Sequence, residues 1–168
     1  MPQSDAQTSA VAVRDLRRVL RVVLPHLGTD PALPLLGDVE VTFAEHALTL
    51  AATDRFTLAA ARAELVESAP AIQWANTVPG AHLSALARML PRTKAGGDMH
   101  VAITATDDHL VIKVPDPNLS ALGDDPQWTI PAANRGFVQW RTLVDKALSS
   151  DRVSAPMGVC LNPAMLTR

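Results

Sequence analysis

Apolar positions along the chain change period twice, and in the same order each time. From Val11 to about Leu24 they recur at helical spacing, with Val13, Leu16, Leu20, Val23 and Leu24 on one side. Pro25 and Gly28 stop that helix, and GTDPALPLLG is a loop punctuated by Pro and Gly. The period then drops to two. Val39, Val41 and Phe43 alternate with Glu40 and Thr42, and Leu48 and Leu50 flank Thr49. This predicts a hairpin turning near Glu45–Ala47. The Ala-rich stretch RFTLAAARAEL follows directly and reads as a third strand. Gln73–Val78 is a short strand, and Pro79 opens a second helix in PGAHLSALARML. There Leu83, Leu86, Ala87 and Leu90 repeat the i, i+3, i+4, i+7 spacing.

The second hairpin copies the first. VAITATDDHLVIKVP from Val101 overlays VEVTFAEHALTLAA from Val39, with Val101 on Val39, Ile103 on Val41, Leu110 on Leu48 and Ile112 on Leu50. The turns at Glu45-His46 and Asp107-Asp108 coincide. The chain therefore holds an internal repeat of helix, hairpin and further strand. The expected fold is α+β, a pseudo-symmetric repeat of helix plus antiparallel strands. Residues 1–10 are polar and expected to be a frayed, disordered N-terminus. Residues 11–136 form one domain of two repeats, about 11–71 and 72–136. Residues 137–168 form a linker and the start of a second domain. In that last part GVCLNPAMLTR restarts the pattern, with Asn162 as N-cap and Pro163 as first helical residue, and the sequence stops at Arg168 inside this third helix.

Hydrophobic residues make up 48% of the chain and charged residues 19%, enough apolar material for a packed core. Aromatics are only 4% and Tyr is absent, so that core must be built from Leu, Val, Ile and Ala. The single cysteine, Cys160, excludes an intramolecular disulfide and reads as a small core residue. MPQSDAQTSA lacks a basic n-region and an apolar h-region, and no apolar run reaches membrane length. A soluble, cytoplasmic protein without a membrane partner is expected. Catalysis finds no support. The histidines His26, His46, His82, His100 and His109 have no acid partner at a recognisable spacing, and G-x-S-x-G and H-E-x-x-H are absent. Asp107 and Asp108 sit where turn chemistry alone favours Asp. No metal-ligand spacing or phosphate-cradling glycine loop occurs, so neither an enzyme nor a cofactor is expected.

One stretch stands apart. RDLRRVLR places Arg14, Arg17, Arg18 and Arg21 within an arc of about 100° on the helix, opposite its apolar side. The formal net charge of the whole chain is -2, so the stripe is a local concentration. A solvated helix face is the plainer reading. Against it, Asp15 is the only acid among these eight residues, whereas exposed helices usually mix signs. Aligned arginines repel one another unless an anion lies alongside, and phosphates are the obvious anion. Arg88, Arg92 and Lys94 extend the surface if the repeat sets both helices side by side. No base-reading motif accompanies them, so contacts to phosphate would carry no sequence information.

LTLAATDRFTLAAARAEL followed by NTVPGAHLSALARMLP resembles the middle of a bacterial-type DNA sliding clamp, the beta subunit of the replicative DNA polymerase III. PALPLLGDVEV resembles the family's loop between first helix and first strand. GFVQWRTLV resembles the segment that links one clamp domain to the next, and GVCLNPAMLTR the opening of that next domain. The likeness runs in order from about residue 11 to the end and covers only part of a clamp. It implies the DNA-clamp fold and a non-enzymatic processivity factor that binds or encircles double-stranded DNA and tethers the polymerase. It implies that Arg14, Arg17, Arg18 and Arg21 face the duplex, with Arg88, Arg92 and Lys94 as lesser contacts. It also implies a pocket for short linear motifs of polymerase and clamp-loader subunits, built from Thr53, Arg55, Phe56, Thr57 and Leu58 with Val138 and Leu143 from the linker. Homo-oligomerisation is implied as well. Two departures are visible: Arg55-Phe56-Thr57 stands where relatives often carry Gly-His-Arg, and Val138 where they carry Pro. The alternative is a clamp-fold interaction module that binds short hydrophobic peptides and has lost DNA binding.

Overall fold

The computed structural model of the chain describes residues 7–66, 73–91, 99–114 and 125–149. Helix α1 spans Val13–Val23 and buries Val13, Leu16, Leu20 and Val23 as the spacing predicts, together with Val19; Leu24, expected on the same side, lies just past the helix and packs half-buried against the core. A short 3-10 turn, Leu24–His26, continues it. Helix α2 spans Gly80–Met89 and buries Leu83 and Leu86. The strands are β1 (Gln7–Ala12), β2 (Asp38–Ala44), β3 (Ala47–Thr53), β4 (Leu58–Glu64), β5 (Trp74–Pro79), β6 (His100–Ala105), β7 (His109–Lys113) and β8 (Gln127–Pro131).

The strands form two four-stranded antiparallel sheets, in the orders β4-β3-β2-β5 and β1-β6-β7-β8. The repeat holds in register. Val41 pairs with Leu50 and Phe43 with Leu48 in one hairpin; Ile103 pairs with Ile112 and Ala105 with Leu110 in the other. All eight are buried, and they meet Leu16, Leu20, Leu83 and Leu86 of the helices in one core. Burying each such Leu, Ile or Val side chain is worth about 1.5–3 kcal/mol against leaving it in water.

Residues 7–10 depart from the expected frayed terminus. They belong to β1, which pairs with β6 from Gln7↔Ala105 to Ala12↔His100. The local signal is faint because only Ser9 and Val11 turn fully inward. A partner far along the chain supplies the hydrogen bonds. The first strands are thus exchanged: β1 completes the sheet of the second repeat, and β5 pairs with β2 of the first. Both exchanged strands run straight into helices through the same backbone turn, at Ala12 (φ -61, ψ 133) and Pro79 (φ -61, ψ 125). Both repeats also close alike. Val66 N–H donates to Ala10 at 2.9 Å, and Ala133 N–H donates to Thr77 at 2.7 Å.

The Ala-rich segment is strand β4, and its small side chains have a use. Ala59 and Ala63 are buried on the side where α1 packs, so helix and strand approach closely. The tight hairpin between β2 and β3 puts both turn residues, Glu45 (φ 50) and His46 (φ 56), in the left-handed region. The helices run antiparallel. Arg17 near the start of α1 reaches Leu90 at the end of α2, while Leu27 past the end of α1 lies on Gly80 at the start of α2.

The chain divides into Met1–Gly136 and Phe137–Arg168. In the second unit Trp140–Ser149 forms helix α3, inside the segment expected to be a linker. WRTLVDKALS contains no Gly or Pro and is rich in good helix formers, which accounts for the difference. Residues 150–168, including Cys160, Asn162 and Pro163, lie outside the described residues.

Gly80 is a point of close approach between the repeats. A Cβ there would fall 2.5 Å from Leu27 Cδ1 and 2.7 Å from the Gly37 carbonyl oxygen. The backbone oxygen has little freedom to move aside. Gly80→Ala is expected to lower stability by about 1–3 kcal/mol in urea unfolding. Gly136→Ala, where nothing lies within 4 Å, serves as the neutral control. Equal midpoints for the two variants would contradict this packing.

Candidate functional site

The outward face of α1 is set by its buried face. Taking about 100° per residue, Val13, Leu16, Val19, Leu20 and Val23 span one side, and Arg14, Arg18 and Arg21 centre on the opposite one. All three arginines are exposed. Arg14 and Arg18 flank Asp15, with nitrogen–oxygen separations of 3.6 and 3.7 Å. These are loose surface pairs, each worth at most about 1 kcal/mol. Arg18 also donates to the Arg62 carbonyl of β4 at 2.8 Å.

Arg17 has another task. Its Nη1 donates to the carbonyls of Leu90 at 2.8 Å and Pro91 at 3.0 Å. Carbonyls at a helix C-terminus lack partners within the helix and carry the negative end of its dipole. Arg17 therefore caps α2 from α1 and fastens the two helices together. It sits at the edge of the stripe nearest α2, which is why it is the one drawn onto that helix. Of the basic residues expected on the second helix, Arg88 is exposed on α2, while Arg92 and Lys94 lie outside the described residues.

The second cluster is the loop joining β3 to β4. Asp54 Oδ1 accepts from the backbone N–H of Phe56 at 3.0 Å, the N–H of Thr57 at 2.7 Å and the Thr57 hydroxyl at 2.8 Å. Thr53 Oγ1 donates to the Thr57 carbonyl at 2.7 Å and accepts from the Arg55 N–H at 3.2 Å. His26 Nδ1 lies 2.8 Å from Thr57 Oγ1. Arg55 holds φ 82, the region glycine favours. The backbone thus keeps a turn suited to glycine, at a cost of about 1–3 kcal/mol that the hydrogen bonds offset. This knot presents Phe56, 83% exposed, with the Arg55 guanidinium 5.8 Å from its ring centre. Leu58 beside it is partly exposed.

Thr53, Arg55, Phe56, Thr57 and Leu58 are therefore together. Val138 and Leu143 belong to the second unit, where both are exposed and Arg141 stacks on Trp140 at 4.4 Å. Asp54 and His26 escaped the sequence-based site. Asp54 had a usable signal, an Asp followed three residues later by Thr, the spacing of a local side-chain-to-backbone turn. His26 had none, because its contact is tertiary. Among the described residues no group of three His, Cys, Asp or Glu is arranged to hold a metal, and no helix is long and apolar enough to cross a membrane.

Comparisons with known proteins agree with this geometry. The model of the family described as DNA polymerase III beta subunit, central domain, matches residues 10–121. No curated protein matches. Among solved structures the chain is similar to the DNA polymerase sliding clamp from Bacillus subtilis, at 19% identity and TM-score 0.67, covering 85% of this chain and 34% of that one. The DNA polymerase sliding clamp from Pseudomonas aeruginosa gives 18%, 0.66, 84% and 36%. DNA polymerase III, beta subunit, from Thermotoga maritima gives 14%, 0.67, 86% and 35%. At these identities the likeness is one of fold, and the chain spans about a third of the length of each.

The Asp54 carboxyl titrates below its ordinary value. Burial alone would raise it, but the hydrogen bonds from Thr57 N–H, the Thr57 hydroxyl and Phe56 N–H together outweigh that. A depressed native pKa means stability that is fully present above the unfolded value of about 3.9 and lost as pH falls through the native one. The stability gap between wild type and Asp54→Asn should be constant from neutral pH down to about 5, then shrink below about 4. A gap that stays flat into strong acid, or opens near neutrality, would contradict the hydrogen-bonded carboxylate.

Proposed function

The chain belongs to the family of the DNA polymerase III beta subunit central domain, and from that premise we propose that it is a non-enzymatic, sliding-clamp-like processivity factor. It binds duplex DNA without sequence specificity and tethers the replicative polymerase. The observation that carries this reading is the outward face of α1, where Arg14, Arg18 and Arg21 stand exposed with Asp15 as the only acid between them. Arg88 adds a lesser contact from α2. Loose, exposed guanidiniums suit phosphate contacts that must re-form as a duplex slides. Arg17 belongs to the architecture that aims this face.

Residues 7–136 act as one clamp-like domain, and 137–168 as the linker and start of another. One helix pair lines one side of a duplex, and the chain works as a homo-oligomer in the cytoplasm. Polymerase and clamp-loader subunits dock through short motifs at the Phe56 loop, with Thr53, Arg55, Thr57 and Leu58 around it. The exposure of Phe56 on a pinned loop favours a second reading, an interaction module of the same fold without DNA work. That module would show no duplex affinity and would lose peptide binding on Phe56→Ala.

Duplex affinity measured against salt separates the readings. Each neutralised phosphate contributes about -0.9 to the slope of log affinity on log salt. The Arg14→Ala, Arg18→Ala, Arg21→Ala triple variant should lose about 10- to 100-fold in affinity at low salt and flatten that slope by about 2–3. Arg17→Ala should instead lose about 1–2 kcal/mol of folding stability and keep its slope. A triple variant that binds like wild type would sink the assignment of α1 to DNA.

A further inference from the structure

His26 closes the Leu24–His26 turn, which follows α1 without a break: Leu24 N–H still donates to the Leu20 carbonyl. Its ring reaches Thr57 in the β3–β4 loop. Proton bookkeeping gives this contact a direction. Thr57 has one hydroxyl proton and donates it to the Asp54 carboxylate. Thr57 Oγ1 can then only accept from the imidazole, so His26 Nδ1 carries a proton and donates it. The chain reads His26 Nδ1–H to Thr57 O–H to Asp54, and Asp54 in turn holds the N–H groups of Phe56 and Thr57. Helix α1 is thereby tied by consecutive side-chain hydrogen bonds to the loop that presents Phe56.

We propose that His26 is a positioning residue that couples the outward face of α1 to the Phe56 loop, so that a duplex on α1 tightens the loop and a ligand at Phe56 strengthens duplex binding. This rests on the assignment of α1 to DNA. Phosphates held by Arg14, Arg18 and Arg21 restrain α1 and the turn behind it. A steadier His26 keeps the Thr57 hydroxyl aimed at Asp54, and the strained Arg55 stays in place. The coupling is reciprocal, since any effect of one ligand on the affinity of the other runs equally in reverse.

Amide hydrogen exchange on the full chain, with and without a saturating blunt DNA duplex at low salt, tests the proposal. In wild type the duplex should slow exchange in α1 and also at the Phe56 and Thr57 amides. In His26→Ala those two amides should exchange about tenfold faster in the free protein, as expected for a locally loosened loop. They should also stop responding to the duplex, while α1 is still protected. His26→Gln, which offers an amide donor, should restore part of the response. Thr57→Val, which cuts the chain at its middle, should reproduce the His26→Ala result should that variant fold poorly. A wild-type loop indifferent to the duplex while α1 is protected would overturn the coupling and leave the DNA assignment standing. An unprotected α1 would overturn both.

Discussion

Strand β1 belongs by sequence to the first repeat and by hydrogen bonding to the sheet of the second, and β5 does the reverse. Neither repeat completes its sheet without the other. Each exchanged strand passes directly into its helix, so the exchange also lays α1 and α2 against one another in antiparallel order. The closures at Ala10–Val66 and Thr77–Ala133 then stitch each repeat back onto its own first strand. Sheet order, helix pairing and the single core follow from this exchange.

That arrangement decides what each arginine of the stripe does. The buried residues of α1 fix its rotation, and the rotation distributes the guanidiniums. Arg17 falls on the side of α2 and satisfies its terminal carbonyls. Arg18 falls on the side of β4 and touches Arg62. Arg14 and Arg21 lie between, facing outward. A stripe that looks uniform in sequence is therefore graded from architectural to available. The same rotation carries the end of α1 to the β3–β4 loop, where His26 meets Thr57.

The elements with strong periodicity were legible in the sequence. The α1 stripe, both hairpins and their shared register follow from the spacing of Val39, Val41, Leu48 and Leu50 and their copies. Strand β1 was hidden because QTSAVA carries little apolar signal and its partner lies far along the chain. The repeat held the missing clue, since a strand precedes the second helix and so should precede the first. Helix α3 was masked by a resemblance to a linker, although its residues favour a helix. At the candidate site, the Phe56 loop could be located by resemblance, but its construction could not. The left-handed Arg55, the triple acceptor Asp54 and the donor His26 depend on backbone geometry and a tertiary contact that spacing does not encode. The capping role of Arg17 was hidden for the same reason.

The arginines of α1 thus divide between holding the fold and meeting a duplex. That division is read most directly by following the arginine side-chain Nε–H resonances of the full chain during titration with a short DNA duplex. The signals of Arg14, Arg18 and Arg21 should shift with added duplex while that of Arg17, held on the end of α2, stays in place. A shift of Arg17 equal to the others, or no shift in any of them, would contradict it.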